Sequence, residues 1–201
     1  MPRVTRPTRR ARLLRTPCSE FLGTEIATVE SMRYPERGVA VLRIVTGLWF
    51  LKGILTKVGL VFVGGFLPLP AASHRWVATM PKLLTKYADG NPIEGYRQFL
   101  LDTVIPHSHL FANLTAFGEV IVGLGLTFGF LTVLASLVGL CLAMVYGLAT
   151  FWQTPNQQGF HILLFACMVV FMTVRAGRYW GLDGWLRSRH PRSWLATLPL
   201  G

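Results

Sequence analysis

The chain has 201 residues, and its 20 Lys and Arg outnumber its nine Asp and Glu, which gives a formal net charge of +11. This length fits one domain or two small ones. Only 14% of the residues are charged and 52% are hydrophobic, whereas a nucleic-acid-binding protein of this charge normally has a more polar body. We therefore expect no nucleic-acid partner, and the apolar composition favours a protein that contacts the lipid bilayer.

A long apolar stretch decides the fold class. Residues 120–174 contain no Lys, Arg, Asp or Glu, and His161 is the one readily titratable side chain among them. About 20 apolar residues span a bilayer, so this stretch holds more than one span. The sequence predicts an all-α integral membrane four-helix bundle, with spans at about 39–62, 110–129, 132–151 and 159–175. Gly129 and the residues up to Thr132 are the predicted turn between the second and third spans.

The first predicted span carries three basic residues. Arg43 and Lys57 are fourteen residues apart, or about 21 Å along a helix. Their long side chains are therefore expected to reach opposite interfaces of the bilayer. Lys52 lies one and a half turns deeper than Lys57, so it needs a partner inside the membrane.

The connection between the first two spans, residues 66–109, also has helical signals. Asn91, Pro92 and Glu94 have the spacing of an N-cap, a first helical residue and a capping-box acid. Apolar residues follow on one face until Pro106, which predicts an amphipathic helix on the outer surface. A second helix is predicted for residues 74–87, broken at Pro81.

Basic residues set the expected orientation. Nine lie in the segment up to Arg43 and five in the segment from Arg175, against four in the connection. Cytoplasmic segments carry the excess of Lys and Arg, so both termini are expected in the cytoplasm. The basic arm, residues 1–38, is expected to dock on lipid head groups or on other membrane subunits, and residues 188–201 form a cytoplasmic tail.

Glu119 is the most informative residue, because it lies about nine residues into the second span. An acid at that depth is costly unless it is paired or protonated. Lys52, on the outer half of the first span, is the natural partner and would tune Glu119. Two interpretations stay open: a buried pair that fixes helix register, or a group that handles protons or binds a ligand.

His161 opens the fourth span near the outer interface. One interpretation is a solvated residue at a helix end. The other is a pocket for a quinone head group, bounded by His161, Trp152, Lys52 and Glu119, in which Glu119 and His161 are the candidate proton donors. Quinone reduction consumes two protons with two electrons, so its pocket needs titratable donors beside apolar walls.

Other cofactors are not expected. His107 and His109 have no third ligand nearby in the sequence, so they are weak evidence for a metal site. No two histidines lie in facing spans to hold a haem, and three scattered cysteines hold no iron–sulfur cluster. The number and spacing of the three cysteines also predict no disulfide framework.

Three motifs in order resemble the DoxX family of small bacterial and archaeal membrane proteins. They are Arg43-x3-Gly47-x5-Gly53-x3-Lys57, residues 117–123 followed by 129–132, and residues 176–183. The long outer connection and the ending Trp180-Gly181-Leu182-Asp183 look most like the DoxD branch, which includes the membrane subunit of thiosulfate:quinone oxidoreductase.

The resemblance implies a four-helix bundle in a bacterial or archaeal cell membrane. Together with a second subunit, it would pass electrons from a sulfur donor to quinone. It also marks family-motif positions: Arg43, Gly47, Gly53, Lys57, Glu119, Gly123, Arg178 and Asp183. Asp183 beside Arg178 is expected to pin the inner end of the fourth helix.

The competing hypothesis is a cofactor-free accessory or scaffold subunit of a larger respiratory or photosynthetic complex. It would dock through the basic arm, which lies outside the family pattern.

Overall fold

The computed structural model describes residues 33–63 and 67–189. Most of the predicted basic arm and most of the predicted tail lie outside the described residues. The elements in chain order are α1 (Arg33–Lys57), β1 (Val58–Val63), β2 (Leu67–Ala72), α2 (His74–Ala88), α3 (Glu94–Phe99), α4 (Ser108–Phe128), α5 (Thr132–Thr150), α6 (Pro155–Thr173) and α7 (Leu182–Arg189).

Four of these helices, α1, α4, α5 and α6, are long and apolar enough to cross a membrane. The predicted all-α, multi-pass membrane bundle is therefore confirmed for the described part of the chain. We call the end of the bundle with residues 58–107 the connection end. The opposite end, with Gly129 and residues 175–189, is the turn end.

The first helix ends at Lys57, five residues earlier than predicted. It is followed by an antiparallel hairpin in which Val58 pairs with Ala72 and Val63 with Leu67, and the prediction of helix in β1 was wrong. The run from Val58 to Val63 is short, apolar and rich in Val. Such a run suits a strand as well as a helix end, because periodicity alone does not separate the two.

The connection is more ordered than the sequence predicted. α2 is continuous through Pro81, contrary to the predicted break, and Ser73 caps it by accepting a hydrogen bond from the Trp76 amide. The predicted amphipathic helix exists, but it begins at Glu94 with Ile93 in the N-cap position, so Asn91 is not its cap. The Asn91 side chain instead accepts from the Ile93 amide and donates to the Leu148 carbonyl. Asn91 therefore ties the connection to α5.

A second apolar cluster holds the connection on the bundle. After α3 the chain makes a short π-helical turn, Leu100–Val104, which ends before Pro106. Leu100 and Val104 are buried against Met80 and Leu84 of α2 and Ala112 of α4. The hydroxyl of Tyr96 donates to the Val145 carbonyl, 2.8 Å away, and burial raises the pKa of Tyr96 to about 12.

Small residues let the spans approach closely. A Cβ added at Gly125 would lie 2.5 Å from the Ala135 Cβ, and one added at Gly139 would lie 2.7 Å from the Met168 sulfur. Without a hydrophobic driving force in lipid, close packing and buried polar contacts hold such helices together. The main core cluster includes Val122, Leu126, Leu142, Met168 and Phe171.

Asp183 closes the turn end by capping α5. Its carboxylate accepts hydrogen bonds from the amides of Leu131 and Thr132, at 2.8 and 2.9 Å, and from the Thr132 hydroxyl, at 2.8 Å. The first amides of a helix have no partner within the helix and attract negative charge. Asp183 therefore pins the start of the third span, not the end of the fourth, and no ion pair between it and Arg178 is present among the described residues.

Arg43 is fully buried at the same end, where protein groups rather than lipid or water surround its guanidinium. Its guanidinium donates to the carbonyls of Leu126, Trp180 and Tyr179, at 2.9, 3.1 and 3.4 Å. These carbonyls belong to the end of α4 and to the segment before α7. Arg43 therefore holds three segments together through backbone acceptors.

Replacing Asp183 with Asn should destabilise the fold. An amide keeps one acceptor oxygen but turns its NH2 group toward a backbone N–H, and hydrogen bonds to charged groups contribute about 1.5–3 kcal/mol. We expect Asp183→Asn to cost about 2 kcal/mol, seen as a lower thermal unfolding midpoint in detergent. Asp102→Asn, in an exposed position of the connection, is the matched control. Equal midpoints for the two variants would contradict the capping role.

Candidate functional site

A buried ionic cluster lies toward the connection end, where α1, α4 and α5 meet. Glu119 of α4 is only 6% exposed. The ammonium of Lys57, the last residue of α1, lies 2.5 Å from its Oε1. The hydroxyl of Tyr146 in α5 donates to the same oxygen over 2.8 Å. The acid that the sequence singled out is therefore held by a cation and a phenol from two other spans.

Gly53 makes room for this carboxylate. A Cβ added at Gly53 would overlap Oε2 of Glu119. Gly53 and Lys57 are four residues apart, so they lie on one face of α1. The same face therefore supplies both the gap that admits the acid and the charge that neutralises it.

Lys57 is also surrounded by aromatic rings. Its ammonium lies 4.6 Å from the centroid of the Trp76 ring and 5.4 Å from that of Tyr146. A cation over an aromatic face is stabilised by the electrostatics of the ring. The indole nitrogen of Trp76 donates to the Ala112 carbonyl, 3.2 Å away, which fixes the ring against α4.

The predicted pairing of Lys52 with Glu119 was wrong. Lys52 is exposed on the outside of α1, and its ammonium lies 5.3 Å from the centroid of the Trp49 ring. Depth along the helix was compatible with either lysine. The direction around the helix axis decides between them, because Lys52 precedes Gly53 by one residue and points about 100° away from it.

His161 and Trp152 have other neighbours. The His161 Nε2 lies 2.9 Å from the Thr150 hydroxyl, while its Nδ1 is buried without a hydrogen-bond partner among the described residues. Trp152 donates to the Ala149 carbonyl and packs against Gly90. In the part of the chain that the structure describes, no hydrogen bond joins either residue to Glu119.

A cavity of about 480 Å³ opens beside the ionic cluster, between the end of α1 and the start of α2. Its walls include Leu55, Lys57, Val58, Ser73, Arg75 and Trp76. The cavity therefore touches Lys57 and Trp76, and through Lys57 it is one contact away from Glu119. This volume is within the usual range of small-molecule sites, about 300–1,000 Å³.

Sequence reasoning missed two members of the site, Trp76 and Tyr146. Tyr146 had a usable signal, since its polar hydroxyl lies within an uncharged span and requires a partner there. Trp76 had none, because its place depends on how α2 folds back over α4. Among the described residues, no three His, Cys, Asp or Glu side chains are grouped as metal ligands.

Lys57 lies between the buried carboxylate of Glu119 and the cavity, and it contacts both. Lys57 is 20% exposed as a side chain and Glu119 only 7%, so the lysine is the member that a molecule in the cavity would meet. An ammonium can donate a hydrogen bond or a proton to an oxygen atom. The paired carboxylate behind it holds that ammonium in place.

Replacing Gly53 with Ala tests the fit of the cluster. The added methyl overlaps Glu119 Oε2, so the pair with Lys57 must separate, and breaking a buried pair costs about 3 kcal/mol. We expect Gly53→Ala to lower the thermal unfolding midpoint. Gly38→Ala is the control, because it lies in the same helix and an added Cβ there has no atom within 4 Å. The control should be neutral or stabilising by up to about 1 kcal/mol, and an equal response of the two variants would refute the steric argument.

Comparison with known protein families gives one match. The family described as "TQO small subunit DoxD" matches residues 39–198. No curated protein and no solved structure matches the chain significantly. The match covers well over half of the chain, including all of the described residues that build the ionic cluster and the closure at the turn end.

Proposed function

This chain belongs to the DoxD family, and we propose that it is the membrane subunit of a quinone-reducing complex of the thiosulfate:quinone oxidoreductase type. The cavity beside Lys57 is the proposed site for the quinone head group. The observation that carries the proposal is a buried carboxylate paired with a lysine that lines this cavity.

The walls of the cavity suit a quinone ring. Trp76 offers a flat aromatic face, and Leu55 and Val58 are apolar neighbours. Lys57 supplies a cationic donor for a carbonyl oxygen. A site with apolar walls and a few fixed polar groups is typical for small organic ligands.

The residues have separate parts in the proposed reaction. The quinone takes up two electrons, which the second subunit of the complex delivers from a sulfur donor, and two protons. Lys57 donates a proton to one quinone oxygen, because it lines the cavity and is held there by the buried carboxylate. Glu119 acts as a positioning residue, since its carboxylate and the Tyr146 hydroxyl hold Lys57 in place.

His161 is the proposed source of the second proton, and because it does not line the cavity, its proton would have to be relayed to the quinone. Its Nε2 is bonded to Thr150, and its Nδ1 has no hydrogen-bond partner among the described residues. The unpaired ring nitrogen leaves His161 one site at which it can donate or accept a hydrogen bond. The orientation expected from the basic residues puts both proposed donors at the outer side of the membrane.

One observation favours the alternative of a cofactor-free accessory subunit. Glu119 is already bonded to Lys57 and Tyr146 and is almost fully buried, as expected for a pair that only fixes helix register. In that case the cluster stabilises the bundle and quinone reduction takes place in another subunit.

Thiosulfate-dependent reduction of a short-chain quinone by the purified complex separates the two functions. Loss of a general acid lowers rates by about 100-fold or more, so we expect Lys57→Met to lower kcat by about 100-fold. Glu119→Gln should lower kcat by less than Lys57→Met does. Glu119→Asp, which keeps a carboxylate, should retain more of the wild-type kcat than Glu119→Gln. His161→Ala should also lower kcat. Lys82→Met, at an exposed position of α2, is the matched control.

Two results would decide against the proposal. One is an unchanged rate in both Lys57→Met and His161→Ala. The other is a loss of activity that is proportional to the loss of thermal stability in every variant, including Lys57→Arg, which keeps the positive charge. Either result favours the accessory subunit.

A further inference from the structure

The turn end carries a second cavity of about 570 Å³ that the proposed function does not use. It lies between the end of α4 and the short helix α7. Phe128, Arg178, Trp180 and Trp185 line it. The cavity therefore combines a cation with three aromatic side chains beside the end of one membrane helix, α4.

The aromatic residues place this cavity at the edge of the hydrocarbon layer. Phe128, Trp180 and Trp185 have 57%, 64% and 52% of their surface exposed. Trp is enriched where membrane helices meet the head groups, because its ring is apolar and its N–H is polar. Their position at the end of α4 is consistent with that level of the bilayer.

The backbone holds Trp180 in place. Its φ of 51° is in the left-handed region, which non-glycine residues rarely adopt. Its carbonyl accepts a hydrogen bond from the fully buried Arg43. The Asp183 amide donates to the Gly129 carbonyl, 2.9 Å away. The cavity is therefore built on the fixed closure of the turn end.

Positive charge is in excess around the cavity among the described residues. Four arginines lie in this segment, namely Arg175, Arg178, Arg187 and Arg189. Two acids of the described residues lie at this end, Asp183, which accepts from Leu131 and Thr132, and Glu36, which accepts from the Tyr179 hydroxyl, so the arginines outnumber the acids two to one. Among the described residues, no ion pair neutralises any of the four arginines.

Two of the other arginines act electrostatically on Arg178. The pKa of Arg178 is lowered from its ordinary value, first by partial desolvation and then by the positive charges of Arg187 and Arg175. An excess of positive charge attracts anions from outside the protein. Arg is the preferred partner of phosphate, because its planar fork donates two parallel hydrogen bonds.

We propose that this cavity binds the head group of an anionic phospholipid, with Arg178 on the phosphate and Phe128, Trp180 and Trp185 against the glycerol and the first acyl carbons. Charge complementarity selects an anion, and the exposed aromatic rings beside it select a lipid over a free ion. The site agrees with the expected orientation, because anionic lipids give the cytoplasmic leaflet its negative surface potential.

Native mass spectrometry of the full-length protein, released from micelles with phosphatidylglycerol or phosphatidylcholine of the same acyl chains, tests the proposal. A basic residue near a membrane surface strengthens anionic-lipid binding about fivefold. We expect phosphatidylglycerol to be retained at least fivefold more than phosphatidylcholine. Arg178→Gln should lower its retention about fivefold, and Arg187→Gln should lower it less.

Two controls make the test specific. Arg97→Gln changes an exposed arginine of the connection and should retain phosphatidylglycerol as the wild type does. Inorganic phosphate should leave the thermal unfolding midpoint unchanged at concentrations at which phosphatidylglycerol raises it. Equal retention of the two lipids, wild-type retention by Arg178→Gln, or a phosphate effect equal to that of the lipid would each overturn the proposal.

Discussion

The need to neutralise charge inside an apolar bundle determines how α1 sits in this protein. α1 carries two cations on its packed side, Arg43 and Lys57, and a charge left unpaired in hydrocarbon costs several kcal/mol. Arg43 finds backbone carbonyls at the turn end, and Lys57 finds Glu119 toward the connection end. A slide or rotation of α1 against α4 would leave both cations without partners. The register of these two helices is therefore fixed at points about 21 Å apart.

Glycines make this double attachment sterically feasible. A Cβ at Gly47 would lie 2.5 Å from the Thr127 amide nitrogen, and one at Gly123 would lie 3.0 Å from the Leu51 nitrogen. Gly53 gives the Glu119 carboxylate its place. The glycines let the helices approach closely, and this close approach allows the cations of the α1 motif to form short polar contacts with the neighbouring helices.

The sequence predicts the four spans and the turn at Gly129 because apolar length and turn chemistry are local properties. It also identifies Glu119 as an acid that needs a cation. The choice of Lys57 over Lys52 depends on the phase of α1 relative to α4, which no single-helix pattern contains. The hairpin after Lys57 and the position of Trp76 depend on how the connection folds back over the bundle, so they were out of reach for the same reason.

The two buried ionic sites differ in what a ligand can do to them. Arg43 is 0% exposed, so nothing can compete for its bonds without opening the turn end. Lys57 keeps 20% of its side chain exposed and borders a cavity, so an oxygen atom bound there could accept one of the three ammonium protons. If the proposed ligand draws the ammonium into the cavity, the pair with Glu119 lengthens while the hydrogen bonds of Arg43 at the turn end stay intact. The Tyr146 hydroxyl, bonded to the same carboxylate oxygen, limits how far Glu119 can follow Lys57.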